Sequence, residues 1–455
     1  MKMPMCATLV KKLLLMALFA SILLGTVLPR LHAADPPPGQ TARVSVDWGV
    51  TKAYTTPLLF GSNDWAVIQN PTNTLGDDRF ARGLAQTGIS FVRLHNGGMS
   101  SAWTDHEAKT WDTAKIKAVY EVPYLQGKTI LQNVPTWPPW MKTTDGLLDP
   151  SEYDAYAAFC ADLVKIVNGR LHHHVRYWEP FNEEDVTYFK KGKFLDLCTL
   201  YSKVAVAMKA ADPTIKVGGL AFTWLDEAKI ELFLKNCGPN VDFISWHHYA
   251  GDGRDATEKI MARTGEDEAG LVSLRALASR YFPHRRVPLV WDEYSLAWTY
   301  QSPETRQWNN IGAVWMASAL KHMADAGVEM ANQWNLKDGF YGLMDSNNNL
   351  RPAAMVYTWG NAYLVGAVSG TASDQPLIEA MAVRQGNGKR SLLLINKAEV
   401  SVKVMVRMSG PGAWHGGRMT VLRLDESGQT QGSLPASDLL NGVVLAPYSL
   451  LLLRR

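Results

Sequence analysis

The stretch Val175-Arg176-Tyr177-Trp178-Glu179-Pro180-Phe181-Asn182-Glu183-Glu184 passes from an apolar run into acid. Val287-Pro288-Leu289-Val290-Trp291-Asp292-Glu293-Tyr294 repeats the pattern. Each reads as a short strand buried on both faces, the kind a parallel sheet uses when helices cover it. Glu183 and Glu293 lie 110 residues apart, which over three βα units is about 37 residues per unit, a reasonable unit size.

Working outward, similar β-branched runs occur at residues 57–61, 90–95, 129–134, 175–182, 215–220, 241–249, 287–293 and 328–334, with helical periods between them at 151–167, 194–211 and 306–326. Eight such alternations predict a (β/α)₈ TIM barrel over residues 53–365. The alternative is a doubly wound open sheet. That fold would place a Gly-rich phosphate loop after its first strand, and Phe60-Gly61-Ser62-Asn63-Asp64 is not one. Beyond residue 365 only strand-like runs remain, separated by Gly, Asn and Ser, and they predict a small β-sandwich over residues 366–455. The alternating Ala42-Arg43-Val44-Ser45-Val46-Asp47-Trp48, within the linker and strand at 34–52, could complete it.

The first 33 residues read as a secretory signal peptide: Lys2, Lys11 and Lys12, then an apolar run, then Leu31-His32-Ala33-Ala34. An uncleaved membrane anchor is the alternative, but the run is shorter than the about 20 residues a span needs. Removing it takes out Lys2, Lys11, Lys12 and Arg30, so 46 basic residues become 42 against 43 acids and the formal +3 becomes −1. A near-neutral chain has no electrostatic reason to bind nucleic acid or an anionic membrane. Location outside the cytoplasm, secreted or periplasmic, is therefore expected; oligomeric state stays open. With 47% hydrophobic and 20% charged residues, the chain is not of the disordered class. Cys160, Cys198 and Cys237 form no metal-binding pattern and are read as packing residues, with any disulfide among them open.

In a barrel, chemistry sits at the carboxyl ends of the strands. Glu183 and Glu293 meet that condition. A carboxyl pair can protonate a departing glycosidic oxygen and attack or activate water, provided its environments hold one acid protonated and one ionised. Arg93, inside the apolar Phe91-Val92-Arg93-Leu94-His95, must pair with a carboxylate because an unpaired buried charge is costly. In Ser245-Trp246-His247-His248-Tyr249 the two-residue period turns His247 and Tyr249 to the mouth and His248 to the helices. Tyr249 is expected to bond the nucleophile, and His247 and Asn182 to reach sugar hydroxyls. Trp137 and Trp334 offer flat faces for stacking. His172-His173-His174 precedes the fourth strand at the opposite end of the barrel, so no metal site and no cofactor is expected.

Together these residues resemble the large clan of retaining glycoside hydrolases built on (β/α)₈ barrels, in which an Asn-Glu pair follows the fourth strand and a Glu ends the seventh. Asn182-Glu183 and Glu293 match, and Arg93, Tyr249 and Trp334 fall on the clan's supporting positions. Arg93-Leu94-His95 and Asp242-Phe243-Ile244-Ser245-Trp246-His247-His248-Tyr249 are most similar to glycoside hydrolase family 39, with families 30, 51 and 79 as relatives. Pro135-Thr136-Trp137-Pro138-Pro139-Trp140 is closer to the style of family 30, and no Pro follows Glu183. The resemblance implies that Glu183 is the acid/base and Glu293 the nucleophile of a retaining enzyme on a β-linked polysaccharide or oligosaccharide. It also implies that Arg93, His95, Trp137, Asn182, His247, Tyr249 and Trp334 bind or support the substrate. A transglycosylase and a non-catalytic carbohydrate-binding barrel remain as alternatives.

Overall fold

The computed structural model describes residues 40–65, 77–300, 304–414 and 416–455; the expected signal peptide lies outside them. Eight parallel strands close into a barrel: Gly61–Asp64, Phe91–Leu94, Thr129–Asn133, Tyr177–Glu179, a fifth in two pieces (Lys216–Val217 and Gly219–Phe222), Ile244–Gly251, Leu289–Ala297 and Met330–Gln333. The split fifth strand is what closes the ring. Lys216–Val217 pairs with the fourth strand and Gly219–Phe222 with the sixth. At the junction Gly218 N donates to Trp178 O at 3.1 Å and Gly219 N to Phe243 O at 3.2 Å. A Cβ on Gly218 would stand 2.4 Å from the Phe243 ring, so only glycine permits this approach.

The helices follow local signals. Asp77 caps Asp78–Thr87 by accepting from Arg79 N at 2.8 Å, and Gly88, at φ 66°, ends it in the left-handed conformation. Asp112, Asp226 and Asn309 cap Thr113–Tyr120, Glu227–Cys237 and Asn310–Asp325 in the same way.

Inside the barrel the strand period sorts chemistry by height. Phe91, Leu131, Val290 and Met330, with Phe243, form an apolar plug. Two residues further along, Arg93, Asn133 and Asp292 succeed three of these on the same inward face, and Glu179 likewise succeeds Tyr177, which packs against the plug. A buried polar layer thus lies on an apolar floor, directly beneath the mouth.

The second sheet has nine strands among the described residues. Thr41–Thr55 is an interior strand, third from one edge, parallel to Val402–Ser409 and antiparallel to Gly366–Ser373. Val44, Val46 and Trp48 from this strand share a core with Leu392, Leu394, Val421, Leu451 and Leu453 from the other half of the sheet, so the sheet curls over itself into two layers. Its opposite face, through Met381, Leu393, Ile395 and Leu452, joins the core of the barrel. The all-strand expectation needs one correction, because Ala436–Asn441 is helical. Residues 443–453 also divide, into Val443–Leu445 and Ser449–Arg454, around Pro447.

The fifth strand runs to Phe222 and the sixth spans Ile244–Gly251, later than read from sequence, and three further boundaries differ for reasons of local chemistry. Residues 57–60 are a 3₁₀ turn, because Pro57 fixes the first φ and Thr56 caps it, and the strand begins at Gly61. The fourth strand stops at Glu179, immediately before Pro180, which has no N–H for a ladder. The seventh continues to Ala297, so Glu293 lies within it rather than at its end.

Candidate active site

Consecutive residues of a strand point to opposite faces, so Asp292 and Glu293 should not both look inward. A bulge makes them do so. Trp246 pairs with Trp291 and His247 with Glu293, which leaves Asp292 as one extra residue, and the partner on the other side shifts register between Trp291 and Tyr294. Asn63 Nδ2 donates to the Asp292 carbonyl at 2.7 Å and pins the bulge.

Glu293 is buried and receives a donor on each oxygen: Arg93 Nη1 at 2.8 Å on Oε1 and Tyr249 Oη at 2.8 Å on Oε2. Both bonds fix the orientation of the carboxyl group. Burial, then the charge of Glu293, raises the Tyr249 phenol well above its ordinary range, so it stays a donor. Arg93 is fully buried and donates three further bonds, to Glu179 Oε2 (2.9 Å), Asn63 Oδ1 (3.1 Å) and Asn182 Oδ1 (2.7 Å).

Glu183 stands four residues beyond the fourth strand, on a loop, at φ 58° and at the start of helix Glu184–Lys190. Its N–H donates to Ala221 O at 3.0 Å, which ties the loop to the end of the fifth strand. Its carboxylate is 2.7 Å from His247 Nδ1. Burial pushes the Glu183 carboxyl up, but the hydrogen bond and charge of His247, with Arg93, outweigh it and hold the group below its usual range. His247 moves the other way. Burial opposes its charge, yet Glu293 and Asp292 raise it well above an ordinary histidine. The substrate-free pair therefore carries one proton, resident on His247 and facing Glu183.

One oxygen of Glu183, one of Glu293 and a ring nitrogen of His247 lie within 4.8 Å of one another. These are metal-ligand atom types, but the positive charge among them is already supplied by Arg93 and His247.

Trp65, His95 and Trp334 form a three-ring wall, with centroids 5.5–5.6 Å apart. Burial and the charge of Arg93 hold His95 well below its ordinary range, so it is a neutral ring, bonded through Nδ1 to Asn133 Oδ1 at 2.8 Å. Trp137 is half-buried on the loop after the third strand, edge-on to Tyr156. His248 faces the helices as expected, 3.2 Å from Asp267.

Two expected roles change. His247 is fully buried with Nδ1 committed to Glu183, so it serves the acid rather than a sugar hydroxyl. Asn182 gives its carbonyl oxygen to Arg93 and keeps only its NH₂ for substrate. Sequence reasoning passed over Glu179, Asp292, Asn133 and Asn63. The first two were detectable by the test applied to Arg93, a charge inside an apolar run; the two asparagines carry no such mark.

Residues 140–348 match the profile of Glycosyl hydrolases family 39. No curated protein matches the chain. Among solved structures the fold is similar to a monomeric beta-xylosidase from Caulobacter crescentus CB15, at 16% identity and TM-score 0.65 over 90% of this chain and 99% of that one. It is also similar to the GH39 enzyme from Xanthomonas axonopodis pv. citri, at 16% identity and TM-score 0.65 over 94% and 99%. The alpha-L-arabinofuranosidase from Thermotoga maritima aligns at 15% identity and TM-score 0.69 over 91% and 100%.

Proposed function

We propose that this chain, a glycoside hydrolase most like family 39, cleaves a β-linked polysaccharide or oligosaccharide with retention of anomeric configuration. The observation that carries the reading is the approach of Glu183 and Glu293 oxygens to within 4.8 Å, with His247 bonded to the first and Arg93 and Tyr249 to the second.

Glu293, with both oxygens already oriented by Arg93 and Tyr249, attacks the anomeric carbon. The bond from that carbon to the leaving oxygen breaks, and the oxygen takes a proton that passes from His247 through Glu183 across their 2.7 Å bond, leaving Glu183 ionised and His247 neutral. The product is a glycosyl ester of Glu293. In the second half Glu183 accepts a proton from water, the water oxygen attacks the same carbon, and Glu293 departs as carboxylate. The wall of Trp65, His95 and Trp334 supplies apolar faces for the sugar ring, and the free NH₂ of Asn182 a donor for a hydroxyl. The leader-like residues 1–33 favour action outside the cytoplasm.

The test is to screen xylan, arabinan, β-glucan and bacterial exopolysaccharides, then follow the first-formed anomer by NMR on whichever is cut. Retention is expected. First-formed inverted sugar would overturn the double-displacement reading.

A further inference from the structure

Beneath the catalytic carboxyls lie two acids that this chemistry does not use. Glu179 and Asp292 are both fully buried, and both turn toward the same Arg93 Nε, at 2.9 Å and 3.4 Å. One N–H cannot satisfy two carboxylates. Asn133 Nδ2 adds a 3.3 Å bond to Glu179 Oε2. Glu179 Oε1 and both oxygens of Asp292 are left buried without a donor among the described residues.

Two carboxyl groups side by side in a dry interior do not both ionise. Glu179 Oε2 and Asp292 Oδ2 both lie within 3.4 Å of the one Arg93 Nε, and three of the pair's four oxygens have no donor among the described residues. A carboxylate oxygen only accepts, so two ionised groups cannot satisfy each other, whereas a proton on one supplies the missing donor. We propose that Glu179 and Asp292 share a single proton and so act as one negative charge rather than two, a positioning pair that leaves Arg93 free to hold Glu293 as the ionised nucleophile.

The other groups facing the pair agree with this assignment. Arg93 comes from the second strand, Asn133 from the third and Glu293 from the seventh, while His247 Nε2 from the sixth is 3.6 Å from Asp292 Oδ2. A second full negative charge here would compete with Glu293 for Arg93 and for His247. Burial, then the charge of Asp292, pushes the Glu179 carboxyl up to about 7.

The sign of the resulting pH dependence is set by proton counting. The folded protein keeps a proton that the unfolded chain releases above its ordinary carboxyl value of 4.5, so this pair makes stability fall as pH rises from 4.5 to about 7. Glu184, also raised to about 7 by burial and Asp185, adds a similar slope that the variants below leave in place. Glu179→Gln and Asp292→Asn each replace the protonated member by a neutral amide beside one remaining carboxylate. Each single variant is therefore expected to lose the pair's share of the pH slope in thermal melts. The acidic limb of the kcat/KM profile should stay in place in the single variants and move down by about one pH unit in the double variant, where the last negative charge is gone.

A melt slope unchanged in both singles, or an acidic limb that moves in a single as far as in the double, overturns the proposal. Should the variants not fold, infrared spectra of the unaltered protein decide: a buried neutral-carboxyl band that persists near pH 6 and shifts in D₂O is expected, and its absence refutes a shared proton. The melts and spectra need no substrate. Their failure is therefore distinguishable from failure of the nucleophile assignment, on which only the kcat/KM arm rests.

Discussion

Glu183 and Glu293 are unequal in what their loss should do. Removing the carboxylate of Glu293 takes away the attacking atom of the proposed reaction and leaves Arg93 without its 2.8 Å partner. Glu293→Ala should lose about 10⁴-fold or more of kcat on every substrate. Glu183→Ala removes only proton transfer, worth about 10²–10⁴-fold. Its loss should be large on natural glycosides and small for the first step on aryl glycosides whose leaving groups need no proton, with glycosyl-enzyme accumulating. Equal losses on both substrate types would contradict the assignment. His247 sets the alkaline limit, because the proton at the mouth belongs to the Glu183–His247 pair and titrates with the raised histidine. In His247→Gln that reservoir is gone, and the alkaline limb of kcat/KM should move toward the ordinary carboxylate range. A limb that stays in place would mean that the histidine does not store the proton.

At the scale of elements, the bulge in the seventh strand aims the chemistry, and Asn63 holds it with one bond to the Asp292 carbonyl and one to Arg93. Asn63→Ala removes that buried bond, a loss of about 1–3 kcal/mol, and should lower kcat more than it raises KM because Glu293 is misdirected. Gly218→Ala drives a methyl into the Phe243 ring and should cost about 1–3 kcal/mol by overpacking; it is read as a lowered Tm. Neither device was legible from sequence. Hydrophobic runs showed that eight strands exist and roughly where, since burial on both faces leaves a continuous apolar signature at residues such as Val290 and Trp291. They could not show that Asp292 is one residue too many, because a bulge is defined by its partner strands. They also overran Pro180, whose missing N–H ends the fourth strand and puts Glu183 on a loop, and they read as strand the turn that Pro57 begins. Arg93 and Tyr249 were legible as partners of Glu293 because a charge in an apolar strand must be paired and a two-residue period fixes direction. The partner of His247 was not, because direction alone does not say which carboxylate lies opposite.

At the scale of the molecule, the curled sheet and the barrel are joined by polar as well as apolar contacts. Glu379 of the sheet accepts from Ser318 Oγ at 2.6 Å, meets His322 Nε2 at 2.9 Å and pairs with Lys397, while Lys397 also donates to Met261 O and Thr264 Oγ1 at 2.9 and 3.0 Å on the barrel. Burial opposes the charge of Glu379, but His322 and Lys397 bring its carboxyl down to about 2. Burial likewise opposes the charge of His322, and its bonds to Glu268 and Glu379 raise it. The two signs bracket a window. The Glu379 contribution is fully present above its unfolded value of 4.5 and disappears as pH falls through about 2; that of His322 is present below its unfolded 6.5 and disappears as pH rises through its raised folded value. Glu379→Gln keeps the shape but leaves Lys397 buried without its charge partner, so it should cost about 3–5 kcal/mol and flatten both flanks of the Tm-against-pH curve. Adding Lys397→Met should recover part of that loss, since removing both charges is milder than stranding one. If Glu379→Gln melts like the parent at every pH, the cluster does not couple sheet to barrel, and the apolar face of Met381, Leu393, Ile395 and Leu452 holds them together without it.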